Sequence, residues 1–382
     1  MINLKQKKFL LVSNITDHSG PTEGLTDFLT KNSNLLVTIY HPFYYCQDKR
    51  SQVRLFKKGK LITKAISLPL ALPEFLKYLS DLFLTFYYTL KFKNKFDFYL
   101  GINCLHALVG IVYRKLGLVN KVIFYTIDWM PYRFKNPFYN WLYFKIDCFS
   151  RQNADFVWNL SEKITQIRKN QGVPNCKNLF VPNGVNFQNI KKPLKSQVKK
   201  EVLVLLGALH PDKGVDLVIK TMPKIWQKFP QIKLVVIGNT PKINNLKPYE
   251  KILSSLDKRV TVLGSIPHQK VLSILPKMGI GLAPYNPQKN NFSYYAWPAR
   301  VIDYLACGLP VIITPVPLIA QKIAQKKAGI LINYQVKELI KAVAKLINDD
   351  QYYWQAHRNT QKLVKDLSWH KIFKKAFNKT YE

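Results

Sequence analysis

Short apolar runs alternate with longer amphipathic segments along most of the chain. Several of these runs have no helical period, which is typical of buried parallel strands; they lie at 7–15, 35–42, 121–128 and 232–239 and at the two ends of 278–314. Segments with helical spacing follow most of them, and Gly, Pro, Asn or Ser stands at many junctions. The alternation predicts an α/β protein built from βαβ units.

The length of the chain predicts two domains. A single core stops growing near ~250–300 residues, and this chain has 382. We expect a first Rossmann-like domain over 1–187, a basic linker over 188–200 and a second Rossmann-like domain over 201–366. We expect 367–382 to form a helix that crosses back to the first domain.

Residues 278–314 form the most informative βαβ unit. A helix is predicted to open at Pro298 and to stop at Gly308, because Pro suits a first helical turn and Gly suits a left-handed end. The loop before it follows the carboxyl end of a strand, where open α/β sheets bind ligands. Arg300 lies in the first turn beside the positive end of the helix, and Asp303 lies one turn further. Together these groups would suit a diphosphate that carries a ribose.

The sequence DYLACGLPVI at 303–312 resembles the signature of group 1, or family 4, glycosyltransferases of the GT-B fold. Asp303 stands where that family has an acidic residue. Tyr295 stands where the family commonly has a Glu, so the usual carboxylate pair is incomplete. WPARVIDY at 297–304 is similar to a subset of the family in which Lys occupies the position of Arg300.

A second resemblance opens the second domain. Residues 201–225 are similar to the family motif GRLxxxKGxDxLI, with Gly207, Lys213 and Gly214 at matching positions and Ala208 in place of the Arg. The resemblance implies that Lys213 reaches the donor diphosphate and that Gly264 borders the base. It also implies a GT-B architecture, two Rossmann-like domains facing across a central cleft. It implies a nucleotide sugar as co-substrate without a cofactor or metal.

The first domain carries the acceptor-side candidates. Gly20 follows the first strand, Asn103 and His106 follow another, and Asp128 ends the strand at 121–128 within a loop rich in Trp, Tyr and Pro. Loops of this composition are common in carbohydrate sites, so we assign Asp128 a catalytic role beside Lys213 and Arg300. The alternative is that Asp128 caps the following helix, since Asp is favoured there.

Composition narrows the function classes. The net charge of +36 is distributed along the chain, and the five cysteines are scattered without a CxxC pair, which predicts neither a disulfide framework nor a zinc site.

Seven basic residues lie within 49–64. The apolar stretch that follows, 65–92, is interrupted by Glu74, Lys77 and Asp81 and is not expected to span a membrane. It fits a core helix or an interfacial helix about equally.

We therefore predict a glycosyltransferase that moves a sugar from a UDP- or GDP-sugar to an acceptor hydroxyl in cell-surface glycan or glycolipid synthesis. Retention of configuration follows from the resemblance. The basic segment predicts a cytoplasmic enzyme docked on the inner leaflet. The alternatives are a nucleotide-sugar epimerase using Asp128 with His106, and a non-catalytic binder of polyanions or membranes. No nucleic-acid-binding motif is present, so nucleic acid is not an expected partner.

Overall fold

A computed structural model describes residues 3–15, 20–43, 46, 48–69, 72–92, 94–134, 136–241 and 246–381. The chain divides into two compact units. Unit 1 contains Met1–Pro182 and Trp369–Glu382, and unit 2 contains Asn183–Ser368.

Unit 1 is built on a mostly parallel sheet. Its strands are β1 (Lys8–Ile15), β2 (Leu35–Pro42), β3 (Gln52–Lys57), β4 (Lys60–Ile66), β5 (Phe96–Ile102), β6 (Val119–Thr126), β7 (Phe156–Asn159) and β8 (Asn178–Phe180). The order among the described residues is β4-β3-β2-β1-β5-β6-β7-β8, and β3 and β4 form an antiparallel hairpin at one edge. The basic segment at 49–64 therefore forms most of this hairpin.

The helices of unit 1 pack on this sheet. They are α1 (Pro21–Asn32), α2 (Glu74–Lys91), α3 (Cys104–Lys115), α4 (Pro137–Asn153) and α5 (Glu162–Asn170). Helix α5 is capped at its start by Ser161, whose hydroxyl accepts a hydrogen bond from the amide of Ile164 at 3.1 Å. The core combines alternate strand residues such as Leu10 and Val12 with apolar residues of α3, including Ile111.

Helix α2 has the reverse of the usual amphipathic arrangement. Its polar stripe faces inward, where Lys77 and Asp81 form a buried ion pair and the Thr85 hydroxyl contacts Nε2 of buried His41 at 2.8 Å. Its outward face is apolar, and Phe83 on that face is 70% exposed. None of the helices in the described part of the chain combines the length and hydropathy that crossing a bilayer requires.

Unit 2 has a fully parallel sheet. Its strands are β9 (Lys199–Leu206), β10 (Lys233–Ile237), β11 (Val260–Val262), β12 (Met278–Ala283), β13 (Val311–Ile313) and β14 (Gly329–Leu331), in the order β11-β10-β9-β12-β13-β14. Strand β9 lies in the middle of this order, and its residues Leu203 and Leu205 are therefore entirely or almost entirely buried. It begins at Lys199, so the last two residues of the predicted linker belong to the sheet.

The helices of unit 2 surround that sheet. They are α6 (Val215–Lys228), α7 (Tyr249–Ser254), α8 (His268–Ile274), α9 (Ala299–Ala306), α10 (Ile319–Gln325), α11 (Val336–Asn348) and α12 (Asp350–Val364). Helix α9 follows Pro298 and is succeeded by Gly308 at φ +89°, as the sequence predicted. The chain then returns to unit 1 as α13 (Trp369–Tyr381).

Candidate functional site

Three left-handed glycines shape the carboxyl edge of the sheet in unit 2. Gly207, Gly238 and Gly264 follow β9, β10 and β11, and each has a positive φ. The amide of Gly238 donates to the carbonyl of Gly264 at 2.8 Å, which joins two of the loops. A Cβ on Gly238 would lie 2.1 Å from the carbonyl oxygen of Gly207, so only glycine fits this close approach.

The loop after Gly207 positions Lys213. A short 3-10 turn over Pro211–Lys213 ends at Gly214, which has φ +83° and would place a Cβ 1.8 Å from the Pro284 carbonyl oxygen. The Lys213 ammonium donates to the Ser293 hydroxyl at 3.0 Å and lies 3.8 Å from the centre of the Phe292 ring. The Lys213 ammonium therefore lies against a hydroxyl and the face of an aromatic ring.

Arg300 extends from α9 along the end of β9. Its Nε donates to the Tyr285 hydroxyl at 2.8 Å, and its two terminal nitrogens donate to the carbonyls of Leu206 at 3.3 Å and Lys213 at 3.2 Å. Burial raises the pKa of Tyr285, although the nearby Arg300 opposes this effect. The tyrosine therefore remains neutral, and the guanidinium keeps its full positive charge.

Asp303 lies on the same helix, one turn further along. It is nearly buried, and its Oδ2 lies 3.0 Å from Nε2 of His268, the first residue of α8. A neutral imidazole that donates from Nε2 would hold the carboxylate in one orientation. The other carboxylate oxygen can accept a hydroxyl hydrogen bond, which is the chemistry a ribose requires.

Tyr304 fixes α9 on the sheet. Its hydroxyl accepts from the amide of Leu206 at 2.7 Å and donates to the carbonyl of Val204 at 3.1 Å. A Cβ on Gly281 would lie 2.5 Å from the tyrosine ring, so β12 and α9 approach closely. Arg300 and Asp303 thus project from a rigidly seated helix.

The structure brings several predicted donor-side residues together. Arg300 contacts the Lys213 backbone, its Cδ would lie 3.8 Å from a Cβ on Gly207, and Gly214 immediately follows Lys213. The amide of Tyr295 donates to the carbonyl of Phe292, whose ring lies under Lys213. Gly264 is linked to these loops because its carbonyl accepts a hydrogen bond from the amide of Gly238. Asp303 belongs to the same region because it lies on α9.

Sequence reasoning missed His268, Tyr285 and Ser293. His268 lies four residues after Gly264, which was predicted to border the base, so only this proximity in sequence could have suggested it. Tyr285 and Ser293 lie in the loop between β12 and α9, where the many aromatic and polar residues gave no basis for choosing among them.

The acceptor-side candidates of unit 1 separate into two groups. Asn103 and His106 meet at Asn14, whose Oδ1 lies 3.1 Å from the Asn103 side-chain amide and 3.1 Å from His106 Nε2. Burial lowers the pKa of His106 to about 3, so the imidazole is neutral at physiological pH. Asn103 has φ +70° and ψ 170°, a strained region that non-glycine residues rarely occupy.

Asp128 makes a different contact. Its carboxylate is half exposed and accepts a hydrogen bond from Arg133 at 3.3 Å. It does not cap the following helix, because the side chain of Asn136 accepts from the amides of Phe138 and Tyr139 at 2.9 and 3.3 Å. The capping alternative for Asp128 is therefore wrong. Gly20 is the residue before α1, and a Cβ there would meet no atom within 4 Å.

The described residues contain no cluster of three or more His, Cys, Asp or Glu side chains arranged to hold a metal ion.

Comparison with known proteins shows which family the region around this site resembles. Residues 186–363 match the sequence profile of the glycosyl transferases group 1 family. The match spans nearly all of unit 2. The predicted family is thereby confirmed, and the matched region contains Lys213, Arg300 and Asp303.

Named relatives match part of this chain. The phosphatidylinositol N-acetylglucosaminyltransferase GPI3 subunit of Saccharomyces cerevisiae is 28% identical over 177 residues, which is 44% of this chain and 37% of the yeast protein. The corresponding subunit of Schizosaccharomyces pombe is 31% identical over 139 residues, 36% of this chain and 28% of that protein. The chain thus matches well under half the length of these relatives.

Solved structures extend the likeness to both units. HepE from Anabaena in complex with UDP has a TM-score of 0.69 at 14% identity, covering 97% of this chain and 98% of that one. Sucrose-phosphate synthase from Thermosynechococcus elongatus has a TM-score of 0.72 at 15% identity, covering 98% and 99%. With two parallel-sheet α/β units of this kind, the predicted GT-B fold is confirmed.

Proposed function

We propose that this protein transfers a sugar from a UDP- or GDP-sugar to an acceptor hydroxyl, in the synthesis of a cell-surface glycan or glycolipid. The observation that carries the proposal is the group formed by Lys213, Arg300 and Asp303 within a group 1 glycosyltransferase domain. The Lys213 ammonium and the Arg300 guanidinium suit a diphosphate, and the Asp303 carboxylate suits a ribose.

The donor class has support from the structural neighbours. HepE has been solved with UDP and, separately, with UDP-glucose. In the proposed reaction, negative charge grows on the diphosphate as the glycosidic bond to the sugar breaks. Lys213 and Arg300 would stabilise that charge electrostatically, from positions that neighbouring groups already fix. Because these cations take the place of a metal ion, we expect transfer to persist in EDTA.

The proposed configuration at the anomeric carbon is retention, as the family resemblance implies. Tyr295 cannot supply the carboxylate that the family commonly has at its position. Any charge stabilisation of the sugar must then come from elsewhere in the site. The anomeric proton coupling of the transferred sugar in the glycoside product, measured by NMR, separates retention from inversion.

The acceptor is proposed to be lipid-linked, with the enzyme at the cytoplasmic surface of a membrane. The yeast relatives are named for an enzyme that acts on phosphatidylinositol. Unit 1 places Lys57, Lys58 and Lys60 at the exposed turn of the β3–β4 hairpin, where they can interact with anionic head groups.

The epimerase alternative is less well supported by the geometry. It needs an acid/base pair, and the pKa of His106 is held near 3 by burial while its Nε2 is engaged by Asn14. Such a group cannot act as a general acid near neutral pH. The non-catalytic alternative leaves the polar group around Arg300 without a purpose.

A nucleotide-sugar panel tests the proposal. Each UDP- or GDP-sugar is incubated with enzyme alone and with a lipid extract, and nucleoside diphosphate release and sugar products are measured. Acceptor-dependent release with a glycosylated product supports the transferase. Formation of an epimer without acceptor supports the epimerase, and binding of anionic vesicles without any turnover supports the non-catalytic binder.

A further inference from the structure

The outward face of α2 is an exposed apolar surface with no partner on it in the described part of unit 1. Its five members share exposure of roughly half or more: Leu76, Leu79, Phe83, Tyr87 and Leu90. Their spacing of three or four residues puts them on one side of the helix. Burying such a surface in water-free surroundings is favourable, and exposing it to water is costly.

Helix α2 also contains polar side chains, but they face the interior of unit 1 and not the exposed surface. Lys77, Asp81, Thr85 and Thr89 are all buried. The Thr85 hydroxyl also donates to the carbonyl of Asp81 at 2.8 Å, and His41 Nδ1 lies 2.9 Å from the Ser51 hydroxyl beneath the helix. A helix that faces water normally has the opposite arrangement. This inversion suits a helix whose outer side lies in a lipid interface.

A cavity of about 180 Å³ lies between α2 and α4 in unit 1. Apolar and aromatic residues dominate its lining, with Leu79 and Leu82 from α2 and Leu142, Tyr143 and Ile146 from α4. An apolar cavity of ~150 Å³ stays dry and accommodates benzene, so this one has room for a segment of a hydrocarbon chain. Leu79 both lines the cavity and belongs to the exposed face of α2, so the two features adjoin.

Polar groups are concentrated at a few positions of the cavity wall. Asn14, Asn103 and Arg133 contribute to its lining. Asn103 Oδ1 is buried and accepts no hydrogen bond within the described part of the chain. A buried acceptor without a donor is costly, and a ligand hydroxyl would satisfy it. The cavity therefore combines room for an apolar chain with polar groups that suit a hydroxylated or anionic head.

We propose that α2 docks unit 1 on an anionic bilayer through its apolar face, and that the cavity takes one hydrocarbon chain of the acceptor lipid. The positive charge supports this occupant. Residues 1–185 carry 26 basic and 11 acidic residues, a net +15, which attracts the anionic surface on which such a lipid resides. The acceptor role of the bound lipid rests on the proposed function.

The docking step is tested with vesicles of phosphatidylglycerol and phosphatidylcholine. Phe83→Ser removes the most exposed ring of the α2 face, and Leu116→Ser is the matched control, since Leu116 is 62% exposed at the end of α3. Co-sedimentation at moderate salt should fall by about tenfold for Phe83→Ser and remain unchanged for Leu116→Ser. Equal loss in both variants, or in neither, would overturn the docking role of α2.

The chain-binding step is tested by calorimetry with dodecyl phosphate below its micellar concentration. Leu142→Trp fills the cavity and should weaken binding at least about tenfold, while Leu142→Ala leaves it open and should retain binding. Binding to wild type should show a negative heat-capacity change. Far-UV circular dichroism and thermal melting check that both variants fold. Equal affinity for Leu142→Trp and wild type, or no binding to wild type, would overturn the proposal.

Two further measurements separate this inference from the proposed function. UDP binding and hydrolysis of a UDP-sugar without acceptor depend on unit 2 and should be the same in Leu142→Trp and wild type. Loss of dodecyl phosphate binding with intact UDP binding would leave the transferase standing. Chain binding in a protein that binds no nucleotide sugar would support the cavity and refute the transferase.

Discussion

Helix α9 of unit 2 and helix α2 of unit 1 both bury charged side chains, but the partners of those charges differ. In α2, Lys77 and Asp81 pair with each other within one helix. In α9, Arg300 donates to a tyrosine hydroxyl and to two backbone carbonyls, all neutral. The first arrangement cancels its own charge, whereas the second keeps a positive charge at the edge of the sheet. A buried cation held by neutral groups is prepared for an anionic ligand.

The outer faces of the two helices differ as well. Residues Arg300–Ala306 of α9 are all buried, so this helix has no exposed apolar side. Helix α2 leaves an apolar side exposed. The comparison assigns ligand chemistry to α9 and contact with an apolar surface to α2. Each of the following predictions tests one side of that difference.

The largest effect is expected at Arg300. Arg300→Ala should reduce sugar transfer about 10²–10³-fold, the range seen when one preorganised electrostatic group is removed from an active site. It should weaken binding of the nucleoside alone far less. The measurement is steady-state transfer with the donor identified in the panel. Arg259→Ala is the control, since Arg259 pairs with Asp257 away from α9, and a similar loss there would remove the special status of Arg300.

Replacing Lys213 tests the same diphosphate-binding role. Lys213→Ala should also slow transfer more than it weakens nucleoside binding. If both cations face one diphosphate, the double variant should lose less than the product of the two single losses, as groups acting together do. Strictly multiplicative losses would place the two side chains on different parts of the ligand.

The next effect concerns the surface of unit 1. Replacing Lys57, Lys58 and Lys60 with Glu should lower binding to anionic vesicles about a hundredfold, because each nearby basic residue contributes about 1 kcal/mol. Wild type should be released as salt rises. The control reverses three exposed charges on α6 of unit 2, Lys220, Lys224 and Lys228. Equal partitioning of wild type and the hairpin variant would end the membrane assignment.

Asp303→Asn should weaken UDP or GDP binding roughly ten- to a hundredfold, since hydrogen bonds to a charged group contribute about 1.5–3 kcal/mol. The replacement keeps the shape of the side chain and its contact with His268. Isothermal titration calorimetry measures the change, and thermal unfolding checks the fold. Unchanged nucleotide affinity would remove Asp303 from the ribose site.

The smallest effect is a pH dependence of stability. Burial lowers the pKa of His106 to about 3 from an ordinary value of 6.5. Below pH 6.5 the unfolded chain binds the proton that the folded chain refuses, so stability is full above pH 6.5 and falls towards pH 3. The slope is at most about 1.4 kcal/mol per pH unit. His106→Gln should flatten the melting temperature against pH, and exposed His370→Gln should not. Equal profiles would contradict the buried neutral state.

The second unit was largely predictable because its chemistry is local. Arg300, Asp303 and Gly308 lie on one helix and its end, so spacing alone related them to each other. Tyr285 and Ser293 were not predictable, because their contacts with Arg300 and Lys213 depend on how one loop folds over another. A single sequence contains no pattern that reports such loop packing.

The first unit was predictable as strands and helices, and much less so as a site. The stripe of Lys77, Asp81 and Thr85 was visible as polar spacing, but its direction was not. Whether a polar stripe faces water or the core depends on what it meets, here His41 and Tyr113 from distant parts of the chain. The sequence showed that residues 49–64 are basic, but it did not show that they form a hairpin paired with β2, because that pairing depends on long-range contacts.

Helix α13 has a consequence for how the protein is made. Its Phe377 lies within 5.5 Å of the Phe9 ring and 5.0 Å of the Trp158 ring, and Trp369 covers Gly24, where a Cβ would lie 2.5 Å from the indole. On the ribosome, residues 369–381 emerge only after all of unit 2. The aromatic core of unit 1 is therefore incomplete until unit 2 has been synthesised. The first unit to be synthesised is thus the last to receive all of its core residues, and until then it exposes apolar surface that favours aggregation.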